Sequence, residues 1–274
     1  MPHLTSVRVT LPDGRDAERY PFDVAAVRAL ATLPDGLAFD RPVTCFVGEN
    51  GSGKSTLLES IAVAAELPVV GSEDLPRDPT LAPARALARC LKLTWTLKAD
   101  LGFFLRAEDF FGFAKRLARE RAELEQEITD VEAEYLDKDR SPYALTLAQG
   151  PLRNSLGHMT RRYGGDLDAR SHGESFLTVF QARLVPGGLF LLDEPESALS
   201  PQRQLGLLAL MKEYVERGAQ FVVATHAPIL LAYPGARLYS FDEQPPRAAE
   251  FEELEHVRLT RDFLAAPERF LRHL

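Results

Sequence analysis

Cysteine is scarce in this chain: Cys45 and Cys90 are the whole complement. They share no metal-ligand spacing, so a disulfide framework and a cysteine zinc site are both excluded, and two reduced thiols are expected. Long hydrophobic runs are missing too. None approaches the ~18 consecutive apolar residues that span a bilayer. Stretches such as Phe221 to Ala224 are strand-sized. Met1-Pro2-His3-Leu4-Thr5 carries no basic-then-apolar signal pattern. The expectation is a soluble, cytoplasmic protein with no direct membrane insertion, which would meet a membrane only through another chain. Positive charge is in deficit, with 32 Lys and Arg against 40 Asp and Glu and a net charge of -8. That weighs against a surface coated for DNA binding and leaves room for a local basic patch. There is no internal repeat and no low-complexity tract.

What is present suits one large α/β unit or two small ones. At 274 residues, with 45% hydrophobic and 26% charged residues, the chain has ample material for a core. Leu4, Val7 and Val9 alternate with polar neighbours and predict a strand over 4–10, turned by Pro12-Asp13-Gly14. Val43 to Val47 is a short apolar run, as a buried parallel strand requires. Leu57, Leu58, Ile61 and Ala65 share one face of a predicted helix over 54–66, and the prolines of 67–83 predict a loop. Strands are predicted over 91–97 and 102–105. A long helix follows over 107–137, with Leu117, Leu124 and Val131 seven apart and Ile128 and Tyr135 offset by four, a heptad-like seam interrupted by Arg121. Ser141-Pro142 ends it, and a second helix is predicted over 152–163. Further along come a helix over 176–184, a strand over 189–192, a helix over 201–216, strands over 221–224 and 237–241, and a helical tail over 261–274. Strands alternating with helices predict a mostly parallel sheet flanked by helices.

The chemistry lies in four short stretches in a fixed order. Gly48-Glu49-Asn50-Gly51-Ser52-Gly53-Lys54-Ser55 fits the phosphate-loop pattern completely. Gly51 and Gly53 let successive amides turn toward phosphate oxygens. Lys54 neutralises phosphate charge, the Ser55 hydroxyl is a candidate Mg2+ ligand, and the helix starting there adds its positive end. Asn50, Ser52 and Thr56 complete the candidate nucleotide-binding set with Gly48. Leu189 to Leu192 lead into Asp193-Glu194, placing a candidate Mg2+ carboxylate and a candidate base for the attacking water at a strand end. Thr225-His226 places an imidazole at another strand's carboxyl end, where open parallel sheets bind ligands. Ser171-His172-Gly173-Glu174-Ser175 opens a helix that Ser171 or Ser175 could cap.

These elements in this order resemble the ATP-binding-cassette (ABC) ATPase superfamily. The resemblance implies an ABC-type P-loop NTPase fold over 1–274, with a helical lobe over 84–170 inserted between the phosphate loop and the signature sequence. It implies ATP rather than GTP, and Mg2+ held through Ser55 and Asp193. It also implies hydrolysis with Glu194, His226 and Lys54 as the catalytic group. Ser171, Gly173 and Glu174 match the superfamily signature, which contacts the γ-phosphate held by a second subunit, so a head-to-tail homodimer around two ATP molecules follows. Arg170 and His172 depart from that signature. Ser197-Ala198-Leu199-Ser200 resembles the loop that crosses the dimer interface, with Ser200 where Asp is common. Arg106, Ala107 and Glu108 occupy the region where a coupling Gln stands in the superfamily. Tyr20 and Phe22 are alternatives for the adenine-stacking aromatic, or core aromatics.

Ser171 to Phe176 and the tail at 261–264 and 267–270 look closest to small soluble bacterial ATPases related to the cassette ATPases of DNA repair and chromosome maintenance. The stretch between Lys54 and Ser171 is too short for the very long coiled-coil arms of those relatives. Its ~30-residue helix would reach about 45 Å. The expected function is an ATP-driven dimerisation switch, with DNA or an unknown protein as effector. The alternatives are the nucleotide-binding subunit of a membrane ABC transporter and an ATP-gated interaction module with slow turnover. Basic clusters at Lys115-Arg116, Arg119, Arg121 and Arg161-Arg162 are either a DNA patch or a solvated face paired with Glu120, Glu123 and Glu125.

Overall fold

The computed structural model describes residues 2–70, 79–99, 101–138, 140–163 and 172–272. Its elements run β1 (Leu4–Val9), α1 (Ala25–Leu30), β2 (Leu37–Ala38), β3 (Val43–Val47), α2 (Lys54–Ala64), β4 (Val69–Val70), α3 (Ala82–Ala88), β5 (Leu91–Trp95), β6 (Gly102–Arg106), α4 (Ala107–Asp137), α5 (Pro142–Tyr163), α6 (His172–Arg183), β7 (Leu189–Asp193), α7 (Pro201–Glu216), β8 (Gln220–Ala224), α8 (Pro228–Leu231), β9 (Arg237–Ser240), β10 (Arg247–Ala249), α9 (Glu255–Ala265) and α10 (Pro267–Leu271).

The main sheet has the order β10-β9-β3-β8-β7-β6-β4. Every pairing in it is parallel except that of β10 with β9. Parallel strands need crossovers, and helices on both faces cover them. β3, β7 and β8 are therefore buried on both sides and read as continuous apolar runs. Their side chains still alternate between two cores. Phe190, Leu192, Phe221 and Val223 face α6 and α7. Leu189, Leu191, Val222 and Ala224 face α2, α3 and the small antiparallel sheet β2-β1-β5. The first core is dense in phenylalanine: Phe103 meets Phe180 edge-on at 5.6 Å and Phe190 at 4.9 Å. Such pairs add about 0.5–1.5 kcal/mol each beyond their buried area.

α4 follows β6 without a linker. Glu108 and Asp109 in its first turn suit the helix's positive end. Leu117 is buried in the core, while Leu124, Ile128, Val131 and Tyr135 are half-buried along the seam. α5 packs back along α4, and the buried Gln149 ties the two together by donating to the Ile128 carbonyl at 3.1 Å.

Three differences from the sequence-based reading have physical causes. α5 starts at Pro142, ten residues before the predicted start. Proline fits the first helical turn, and the Ser141 hydroxyl accepts the Ala144 amide at 3.2 Å, so Ser-Pro opens a helix here, α4 having ended at Asp137. Pro151 lies inside α5, where its missing N–H imitated a boundary. Within 67–83, β4 pairs with β6 through only two residues, too few to show alternation, and α3 starts at Ala82.

Candidate functional site

In a parallel sheet all carboxyl ends lie on one edge. Here that edge collects the phosphate loop after β3, Arg106 at the end of β6, Asp193-Glu194 at β7, Thr225-His226 after β8, and Asp242 after β9. Arg106 pairs in register with Asp193, Asp193 with Ala224, and Ala224 with Phe46. Residues far apart in sequence are thus fixed as lateral neighbours.

The loop's backbone is shaped by glycine. Gly53 has φ 99°, and a Cβ there would lie 2.8 Å from Val24 Cγ1, so both conformation and space demand glycine. Lys54 is buried, and its ammonium donates to the carbonyls of Gly48 at 2.5 Å and Glu49 at 2.8 Å and to Ser52 Oγ at 3.4 Å. Burial holds its pKa below the ordinary lysine value, opposed by the carboxylates of Glu194, Asp242 and Asp193. The charge thus sits inside the loop, held by its own carbonyls and hydroxyl. Asn50 is exposed at the loop's rim, and Thr56 is half-buried on α2.

The Ser55 hydroxyl donates to Asp193 Oδ1 at 3.0 Å. Burial pushes the Asp193 carboxyl up to about 7, with Ser55 drawing it down and Glu59 and Glu194 pushing it further up. A buried carboxylate in that position is incompletely compensated by protein groups, and a hard cation is the natural complement. The donor set fits Mg2+, which binds through few protein oxygens and takes the rest from water and phosphate. Among the described residues no cluster of three or more His, Cys, Asp or Glu forms a full metal cage.

Glu194 adopts φ 45°, ψ 48°, a left-handed conformation for a non-glycine residue, and its amide donates to the Ala224 carbonyl at 2.9 Å. His226 is exposed, with its backbone amide donating to Glu196 Oε1 at 2.9 Å and its Nδ1 lying 3.5 Å from the same oxygen. Glu196 is therefore a neighbour of the His that no motif named; its signal was a carboxylate two residues after the strand-end pair. Arg106 is buried beside Asp193. Burial opposes its charge, but Glu59, Asp109 and Glu108 together hold its guanidinium above the ordinary value.

Of the aromatic alternatives, Phe22 belongs to the core, whereas Tyr20 is exposed with its hydroxyl 3.3 Å from Thr56 Oγ1. Ser171 lies outside the described residues. Gly173 and Glu174 fall in the first turn of α6, whose side chains before Phe176 are likewise outside them. Cys45 is buried, its thiol pushed up to about 12 chiefly by burial, and Cys90 is half-buried; both are free. Among the described residues no helix is long and apolar enough to cross a membrane.

Comparison with known proteins meets this geometry. The model of a family described as "AAA domain, putative AbiEii toxin, Type IV TA system" matches residues 92–232, just over half of the chain, and one described as "AAA domain" matches residues 33–65. The chain is similar to the L-cystine transport system ATP-binding protein TcyN of Escherichia coli, 28% identical over 234 residues, covering 84% of this chain and 87% of that one. It is also similar to the cytochrome c biogenesis ATP-binding export protein CcmA of Rhodopseudomonas palustris, 28% identical over 212 residues, covering 74% and 88%. Among solved structures, cbiO1 of Clostridium perfringens, part of the ABC transporter complex cbiONQ, has a TM-score of 0.49 at 15% identity, covering 99% of each chain. With the family model spanning just over half of the chain, Asp193-Glu194 and His226 included, the chain belongs to the AAA/ABC ATPase family.

Proposed function

We propose that this chain hydrolyses ATP, with Mg2+ as cofactor, and that it works as a head-to-tail homodimer closed around two ATP molecules. Residues 1–274 then form one ATPase domain whose helical lobe is the α4–α5 hairpin. The observation that carries the reading is the Ser55–Asp193 contact at 3.0 Å, which joins the phosphate loop to the strand bearing Glu194. Gly48, Asn50, Gly51, Ser52, Gly53, Lys54 and Thr56 line the phosphate side, and Tyr20 beside Thr56 is the adenine-stacking candidate. Ser55 and Asp193 would hold Mg2+, which supplies charge neutralisation on the phosphates. Glu194 would orient and deprotonate the attacking water, and His226, braced by Glu196, would contact the terminal phosphate. Ser171, Gly173 and Glu174 would complete the site of the other copy.

Glu194→Gln tests this directly. The variant keeps shape and hydrogen bonding but loses the base, so it should bind ATP and stall before hydrolysis, with turnover lower by ~100-fold or more. Light scattering after gel filtration in excess MgATP should give twice the 30.4 kDa monomer mass. A variant that stays monomeric under those conditions removes the clamp.

A second reading, as nucleotide-binding subunit of a transporter, is favoured by the names of the two relatives. Against a DNA partner, Arg121 on α4 is already engaged by Glu125 at 2.8 Å, so part of that basic cluster is neutralised within the helix. Turnover with and without double-stranded DNA at two salt concentrations separates the readings, because phosphate contacts weaken steeply with salt. Salt-sensitive stimulation supports a DNA effector; its absence directs attention to a protein or membrane partner.

A further inference from the structure

One wall of the cleft beside Gly48, Glu49 and Asn50 is α9, a helix to which no motif assigns nucleotide chemistry. His256 and Leu259 line the cleft with His226 and Asp242, around a space of about 730 Å³. Asp242 follows β9, the strand next to β3, and its Oδ1 accepts the Glu49 amide at 2.8 Å. That carboxylate is so near the loop that a Cβ on Gly48 would lie 2.9 Å from it. A polyphosphate on the loop would therefore meet a fixed negative charge at its edge, which is unfavourable at a few ångströms even with solvent screening. His256 Nε2 is buried and has no hydrogen-bond partner among the described residues. A buried ring nitrogen left idle calls for a partner that arrives with function.

We propose that His256 is a positioning residue of the nucleotide site, taking up a proton when a nucleoside triphosphate binds and so offsetting the carboxylate of Asp242. The inference rests on the nucleotide reading above and deepens it with a group from outside the motifs. In the free protein, burial holds the imidazole below its ordinary value; Asp242 draws it up, and His226 and Lys54 press it down. Glu49 and its own neighbour Glu255 also line the cleft, Glu196 bonds the His226 amide, and Glu252 and Glu253 stand on the turn that precedes α9. α10 meets α9 at the far end, through Phe263 and Phe270. Phosphate oxygens entering this cleft add negative charge, which favours imidazolium. The proton comes from solvent and returns when the ligand leaves. Because the bound form has the higher pKa, affinity is greatest at low pH. It falls as pH rises through the window from the free to the bound value.

Isothermal titration calorimetry with ATP and Mg2+ tests this on the full chain, at about pH 6 and about pH 8, in buffers of different ionisation enthalpy. Wild type should take up a fraction of a proton and weaken by roughly three- to tenfold across that range. His256→Gln should lose most of the uptake and of that slope. The titration of ATP's own terminal phosphate is common to both and cancels. Asp242→Asn removes the charge to be offset and should bind more tightly than wild type at about pH 8. Unchanged proton uptake in His256→Gln, or weaker binding by Asp242→Asn, overturns the inference and leaves the nucleotide reading intact. If instead wild type binds ATP no better than Lys54→Ala, the nucleotide reading itself fails.

Discussion

One peptide bond, Arg106 to Ala107, separates two regions built by different rules. On one side the carboxyl edge of the sheet is made from strands buried on both faces, with Lys54 and Asp193 held among them. On the other, the α4–α5 hairpin is mostly exposed, rich in i,i+4 ion pairs such as Arg121–Glu125 and Lys138–Glu134, and joined by a half-buried seam. The contrast teaches where this chain can tolerate change. The sheet edge is over-determined by packing on every side, so its candidate site groups stand in fixed register. The hairpin meets the rest through α4's first turns and α6, and its outer half carries little of the core.

That contrast can be sharpened by paired truncations. Phe190→Ala, in the aromatic core under the site, should lower unfolding free energy by about 3–5 kcal/mol in urea titrations. Leu124→Ala, on the seam, should lower it by only about 1 kcal/mol. Equal losses would break the distinction, since the hairpin would then be as integral as the sheet. On the site itself, Lys54→Ala should weaken ATP binding by on the order of 100-fold or more, as removal of a buried charged partner does, measured with a fluorescent nucleotide. Unchanged affinity would mean that the buried ammonium serves the fold alone.

The smallest effect belongs to the rim. Arg237 grips Asp40 through two hydrogen bonds, of 3.0 and 2.5 Å, and this holds the Asp40 carboxyl below its ordinary value. A depressed carboxyl stabilises the fold above its unfolded value and loses that contribution as pH falls through its folded value. Asp40→Asn should therefore cost under about 1 kcal/mol at neutral pH, less in high salt, and nothing in strong acid. Urea midpoints at several pH values check it.

Much of this was legible in the residues. Buried parallel strands announce themselves as short apolar runs, so β3, β7 and β8 and the motifs at their ends could be placed from sequence. α4 could be delimited because its half-buried seam runs almost to its end at Asp137. What escaped reading was set by space rather than by sequence neighbours. Asp242 and His256 lie about two hundred positions from Gly48; the pairing of β9 with β3 carries Asp242 to it, and α9, against the same cleft, brings His256. Glu196 meets His226 because β7 and β8 are adjacent, a fact of strand order. α5 misled because a proline inside a helix carries the same local signal as a proline at its start.

Glu194 bears a consequence of another kind. Its left-handed backbone is one that an L side chain enters at a penalty of about 1–2 kcal/mol, whereas glycine enters it freely. The architecture alone would thus choose glycine at 194. A glutamate there sets the comfort of the backbone against the role proposed for its side chain. With Glu194 as the proposed base, a chain drifting toward Glu194→Gly would become sturdier and lose its turnover. Selection for robustness and selection for turnover therefore pull this one position in opposite directions.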